Sequence, residues 1–320
     1  MELIKSNTTI NFMGKARLAL LVSGILLAVG VASLFVRGIN FGLDFTGGTL
    51  IEISYPEAPD LGQVRARLAE EGFDDFTVQT FGTARDIVIR IPADQDNQDD
   101  AQLSNRVLSS LSEQTPDIEL RRVEFVGPQV GQELANQGGL ALIYVLFGVL
   151  LYISFRFQWR FAVGAVAALV HDVLLVVGIL SVLQVSFDLT VVAALLAVIG
   201  YSLNDTIVVY DRLRENFTVK RKGTAYELCN LSINQMLGRT IMTSLTTLLV
   251  LIALFYFGGE IIHSFAFTLI LGIIIGTYSS IYIAGSAAVL LGVSKQDLMP
   301  VQKEGADQPD VEVLPERFRN

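Results

Sequence analysis

Six apolar stretches decide what this chain can become: residues 18–36, 140–155, 161–183, 189–210, 240–257 and 264–291. Each is near the roughly 20 residues needed to cross the hydrocarbon core of a bilayer as a helix. Lipid offers no water to an unsatisfied backbone, so runs of this length must close their hydrogen bonds internally, and six transmembrane helices are expected. With 52% hydrophobic residues and a mean hydropathy of +0.52, an ordinary soluble domain is excluded.

Orientation follows from the basic residues, which accumulate in cytoplasmic loops. The N-terminus carries Lys5, Lys15 and Arg17. The connection after the second span has Arg156 and Arg160, and the one after the fourth has Arg212, Arg214, Lys220, Arg221 and Lys222. The opposite short loops, 184–188 and 258–263, contain neither Lys nor Arg. Both termini are therefore expected in the cytoplasm, with residues 1–17 and 293–320 as cytoplasmic ends and the polar tail read as disordered. The first span, preceded by Lys15 and Arg17 and containing Gly30-Val31-Ala32, could imitate a cleaved signal. Loss of that span would disturb the charge pattern, so an uncleaved anchor is expected. Between Arg37 and Gly138 there are 18 acidic residues against 8 arginines. That imbalance excludes nucleic acid as a partner, because phosphate binding needs clustered positive charge. Cys229 is the single cysteine, so no intrachain disulfide forms.

Residues 37–138 alternate between periods of two and 3.6. "TLIEISYP", "DFTVQTFG", "DIVIRIP" and "IELRRVEFVGP" read as strands, with helices at "LGQVRARLAEEG" and "AQLSNRVLSSLSEQ". The second and third strands are separated by a Gly-Thr-Ala-Arg turn. The order is βαββαβ, a ferredoxin-like α+β domain on the outer side of the membrane. This fold hosts many functions and identifies none. The segment has no His/Cys ligand cluster, no Ser-His-Asp set and no Walker loop. "GLDFTGG" lacks the Lys-Ser/Thr of a phosphate loop and reads as a turn into the first strand. No enzyme activity, metal or cofactor is expected. Gly47 with Gly48, and Gly127 with Pro128, are candidate hinges where the domain joins its spans.

Ionisable residues interrupt the apolar runs at His171-Asp172, Asn204-Asp205 and Arg239. A charge in hydrocarbon costs at least ~2.5–3.5 kcal/mol on insertion scales, so such groups face protein or water. At about 1.5 Å per residue, Asp205 lies roughly 9 Å inside the boundary marked by Asp211. Arg239 enters its span from the same side. Two readings stand for this pair: a carboxylate that loads and releases a proton as Arg239 approaches and withdraws, or a packed polar residue beside an arginine that snorkels to the interface. His171-Asp172, nearer the midplane, reads first as a polar contact between helices and second as part of a relay. "GIIIG" (272–276) offers a close helix–helix approach. Thr243, Ser244, Thr246 and Thr247 either line a polar path or bond back to their own helix.

Five motifs in order, "GLDFTGGT" (42–49), "VGPQVGQEL" (126–134), "HDV" (171–173), "GYSLNDTIVVYDRLREN" (200–216) and "LGRTIMTS" (237–244), resemble the bacterial SecF-like family of the resistance-nodulation-division superfamily. The resemblance spans residues 15–292. It implies an accessory subunit of the Sec protein-export translocase that acts with SecD on the SecYEG channel, with SecA and YajC as further partners and preproteins as substrates. It also implies use of the proton-motive force at the bacterial inner membrane. Within it, Asp205 and Arg239 match the family's proton-pathway pair, with Asn204 beside them. Six spans make one superfamily half, so the other half should be SecD. The competing classes are a proton-coupled small-molecule exporter and a non-transporting membrane assembly factor.

Overall fold

The computed structural model describes residues 9–293 apart from 74–75, 93–99, 114, 116 and 221–222. Lys5, Lys222 and the tail 294–320 lie outside the described residues. Among these residues six helices are long and apolar enough to cross a membrane: Met13–Val36, Pro128–Arg156, Trp159–Leu183, Leu189–Val219, Ala225–Phe257 and Ile262–Leu290. In chain order the elements are α1 (Ala16–Val36), α2 (Leu43–Thr46), β1 (Gly48–Ser54), α3 (Leu61–Glu70), β2 (Thr77–Phe81), β3 (Thr83–Ile91), α4 (Asp100–Ser112) and β4 (Glu119–Val126). The chain continues with α5 (Pro128–Arg156), α6 (Trp159–Leu183), α7 (Leu189–Val219), α8 (Ala225–Phe257), α9 (Glu260–Ser279) and α10 (Gly285–Leu290). A π-helical turn, Ser280–Ala284, links the last two.

Three helices run well past their apolar runs, and their caps explain why. Pro128 sits in the first turn of α5 behind Gly127, where its missing N–H costs nothing. Thr224 and Glu227 form a capping box that starts α8 fifteen residues before the apolar run begins at Thr240. At the far end of α7 the helix continues to Val219, so Arg212 and Arg214 lie on its charged end, beyond the apolar run. Arg212 donates to Gln235 Oε1 at 2.7 Å, and Arg156 pairs with Asp211 at 3.1 Å.

The α+β domain has strand order β2-β3-β1-β4, antiparallel throughout. Alternate residues of the central strands (Ile51, Ile53, Ile87, Ile89) pack with Val64, Leu68, Val107 and Leu111 of α3 and α4 in one apolar core. Asp60 caps α3 by accepting from Gly62 N–H at 2.7 Å. The turn expected over 82–85 is tighter: Gly82, at φ 73°, makes the reversal, and β3 already starts at Thr83. Likewise "GLDFTGG" contains one helical turn, α2, before Gly47.

In the membrane part, half of the most apolar window of α6, α7 and the α9 span is buried, against 17%, 11% and 17% for α1, α5 and α8. The first three are the centre of the bundle, and the others present apolar faces outward. Glycines set the closest contacts. A Cβ at Gly272 would fall on the Val198 side chain, and one at Gly276 would come within 3.0 Å of Ser202 Cβ. Gly30 and Gly178 bring α1 and α6 into backbone contact. Without a hydrophobic drive between helices in lipid, such small residues let dispersion contacts and hydrogen bonds hold the bundle. The GIIIG stripe thus packs α9 on α7 next to the polar residues of the centre.

Candidate functional site

The central helices converge on Asp172, which is 1% exposed. Its Oδ1 lies 2.8 Å from His171 Nδ1, and its Oδ2 accepts from the Ser202 hydroxyl at 2.5 Å. His171 Nε2 is 3.0 Å from Ser23 Oγ. Ser23 donates to Tyr278 Oη at 3.2 Å, and Tyr278 donates to the Ala19 carbonyl at 2.6 Å. One connected chain of polar groups thus joins α1, α6, α7 and α9. The His171-Asp172 contact joins helices, the first of its two readings. Its hydrogen bonds also permit the second: with Ser23 directed at Tyr278, His171 Nε2–H donates to Ser23. Nδ1 then either accepts from a protonated Asp172 or donates to its carboxylate.

Asp205 lies three residues beyond Ser202, one turn along the same face of α7. It is 3% exposed, and among the described residues its Oδ2 has no hydrogen-bond partner; neither has the neighbouring Thr206 Oγ1. A buried unsatisfied polar atom is rare in folded proteins and calls for an explanation. α7 packs on α8, the helix that carries Arg239. Yet among the described residues Asp205 and Arg239 form no ion pair, and Arg239 is exposed on the surface of α8. Asn204 is exposed as well, one position away and turned outward by the helical step of 100°. The structure thus separates two residues that the sequence places together: Asp205 enters the bundle, and Asn204 faces away from it.

The candidate hinges come together at one joint. Gly47, at φ 68°, has Pro128 Cα 2.9 Å from where its Cβ would be. A Cβ at Gly131 would likewise lie 3.1 Å from the Gly47 nitrogen. Gly48 takes φ 117°, and Gly127 caps α5. On α8, Thr243, Thr246 and Thr247 bond back to carbonyls of their own helix at 2.9–3.1 Å. Ser244 instead meets Thr277 of α9 at 2.7 Å. Ser23, Ser202 and Tyr278 were not singled out from the sequence. Serine and tyrosine are ordinary in apolar helices, and the one available signal was the spacing of Ser202 from Asp205.

Two family descriptions match this chain. "Protein export membrane protein SecD/SecF, C-terminal" covers residues 106–294, and "SecD/SecF GG Motif" covers residues 32–55. The protein translocase subunit SecF of Pseudomonas aeruginosa is 51% identical over 92% of this chain and 95% of its own. That of Vibrio alginolyticus is 48% identical over 96% of this chain and 98% of its own. Among solved structures, SecDF of Thermus thermophilus, a translocon-associated membrane protein, superposes with a TM-score of 0.81 at 37% identity. The superposition covers 91% of this chain and 39% of SecDF, so this chain spans about two fifths of that protein. SecDF in a super-membrane-facing form gives a TM-score of 0.67 at 38% identity over the same shares.

Proposed function

This chain belongs to the SecD/SecF family as a SecF-type accessory subunit of the Sec protein-export translocase, and we propose that Asp205 and Arg239 couple its action to the proton-motive force. It is a multi-pass protein of the bacterial inner membrane. We further propose that both termini are cytoplasmic and the α+β domain (37–138) periplasmic, where it promotes release of preproteins emerging from SecYEG. SecD is the partner that supplies the other half of the assembly. The outward-facing Asn204 and Arg239, on an otherwise apolar surface, suit a face covered by that half.

The observation that carries the coupling role is the Asp205 carboxyl: buried, unpaired at one oxygen among the described residues, and on a helix packed against the one that carries Arg239. A carboxyl so placed can take up a proton from one side and give it up when Arg239 swings in. Asn204 borders the pair, and His171-Asp172 would extend the path through Ser202 toward α1.

The test is gradient-stimulated release of a preprotein at the outer face of right-side-out membrane vesicles carrying SecD and SecYEG. Asp205→Asn keeps shape and cannot ionise, so assembly with SecD should survive and stimulation should vanish. Arg239→Lys should rescue only in part, because an ammonium lacks the planar fork of guanidinium. If the two act as one unit, the double variant should be no worse than either single one. Wild-type stimulation in Asp205→Asn would overturn the proton role.

A further inference from the structure

The segment that leads from α1 into the α+β domain is fastened to the end of α6 and to the loop between α6 and α7 at nearly every residue. Arg37 Nη1 donates to the Val182 carbonyl at 2.8 Å, and Ser181 Oγ donates to the Gly38 carbonyl at 2.7 Å. Asn40 Nδ2 donates to Gln184 O at 2.8 Å. Two backbone bonds, Phe187 N–H to Asn40 O at 2.8 Å and Gly42 N–H to Phe187 O at 2.7 Å, make a short parallel bridge. Around it Phe41, Phe45 and Phe187 pack with ring centroids 6.0–6.1 Å apart. A Cβ at Gly42 would sit 3.0 Å from that of Asp188, which is why the bridge can close this tightly.

Two carboxylates finish the fastening at the N-terminus of α7. Asp188 accepts from Val191 N–H at 2.9 Å, and Asp44 of α2 accepts from Leu189 N–H at 2.8 Å. The first turn of a helix has unsatisfied N–H groups and partial positive charge, so both acids are stabilising there. One of them, Asp44, belongs to the root of the α+β domain. From within that domain, Arg90 reaches down to donate to Ser186 Oγ at 3.0 Å. By contrast, among the described residues no hydrogen bond joins the α8–α9 connection at 258–259 to the domain.

We infer that residues 37–46 and 184–188 form a permanent clasp that makes the α+β domain one rigid body with the outer ends of α6 and α7, and so transmits its motion to Asp205. Asn40, Asp44, Phe187 and Asp188 are its positioning residues. Asp205 rides on α7 and Arg239 on α8. Any rocking of the domain that carries α7 relative to α8 changes the distance between acid and cation. The double-glycine motif then has a mechanical role: Gly47 and Gly48 let the chain leave α2 and enter β1 while Asp44 stays on α7. The inference rests on the proton-coupling role of Asp205 and Arg239 for its consequence, and on the clasp alone for its geometry.

The experiment separates the two. In the Cys229→Ser chain assembled with SecD in vesicles, spin-label pairs are placed at Thr80 and Leu183, and at Thr80 and Phe257. On imposing a proton gradient, the first distance should stay constant and the second should change. Joining Asn40→Cys and Gln184→Cys by a disulfide should leave gradient-stimulated release intact, because the clasp never opens. Asn40→Ala with Asp44→Ala should broaden the Thr80–Leu183 distance and lower stimulated release at least about five-fold, the scale of a coupling between sites, with SecD still bound. A changing Thr80–Leu183 distance, a fixed Thr80–Phe257 distance, loss of release in the disulfide-locked chain, or full release in the loosened one overturns the inference. If the loosened chain does not assemble, the two distances and the locked chain still decide. Failure of Asp205→Asn to abolish stimulation would sink the proton role and leave the distances to judge the clasp.

Discussion

Asp86 of the α+β domain shows how a residue's neighbours set its chemistry. The Ser54 hydroxyl donates to its Oδ1 and the Thr83 hydroxyl to its Oδ2, both at 2.5 Å, and together they hold the carboxyl below the usual carboxylate range. Ser54 and Asp86 are register partners across β1 and β3, so the bonds pin the end of that pairing. A depressed folded value means the stabilisation is present above the unfolded value of about 3.9 and is lost as pH falls through the folded one. In a carbon-13 titration of the full chain, the Asp86 midpoint should lie below the ordinary value and return to it in Ser54→Ala/Thr83→Val. In urea the wild type should outlast that variant at pH 6 and lose the advantage as pH drops below the carboxylate range. At this scale the sequence was most readable where the residue was costly to place. Asp172, Asp205, His171 and Arg239 stand out because charge in an apolar run demands a reason. Ser23, Ser202 and Tyr278 carry no such cost, and their meeting depends on which helices touch.

Among the elements, hydropathy located every span, to within two residues for α1, α6 and the span of α9, and fell short at one end of α5, α7 and α8. An apolar run reports the length of helix in lipid, whereas a helix stops where a cap stops it: Gly127-Pro128 for α5 and Thr224/Glu227 for α8. The strands of the α+β domain were legible from alternation, since one face of each central strand packs on α3 and α4. Small residues gave the contact face of α9 but not its partner. That partner is α7, through Gly272 on Val198 and Gly276 on Ser202. Gly272→Ala should therefore destabilise the bundle in detergent by about 1–3 kcal/mol, the usual range for overpacking. Val198→Ala should recover most of that loss by making room, and a thermal-unfolding cycle of the two single variants and the double measures the coupling. Strict additivity would mean that the two helices do not meet at this pair.

At the scale of the whole molecule, the surface left open by the bundle is the feature that stands out. The apolar α1, α5 and α8 faces are mostly unburied, and the chain matches two fifths of the solved SecDF chain. The proposed orientation predicts labelling by a membrane-impermeant thiol reagent. A cysteine at Thr80, exposed in β2, should react in intact cells, and one at Thr218, exposed near the end of α7, only after the inner membrane is opened. Reaction of the Thr218 cysteine from outside would reverse the topology.

By itself the sequence determined the class of solution: six helices, because backbone in lipid must satisfy itself, and one βαββαβ domain, because period-two and period-3.6 segments alternate in that order. Its motifs carried the family through their order along the chain. Only the tertiary structure decided that Asn204 faces out while Asp205 faces in, that the polar chain at Asp172 gathers four helices, and that the segment after α1 bonds to the start of α7. Those outcomes depend on helix rotation and on contacts between residues as far apart as Ser23 and His171. A periodic pattern defines the apolar face of one helix; which face meets which neighbour is settled by packing the whole bundle at once.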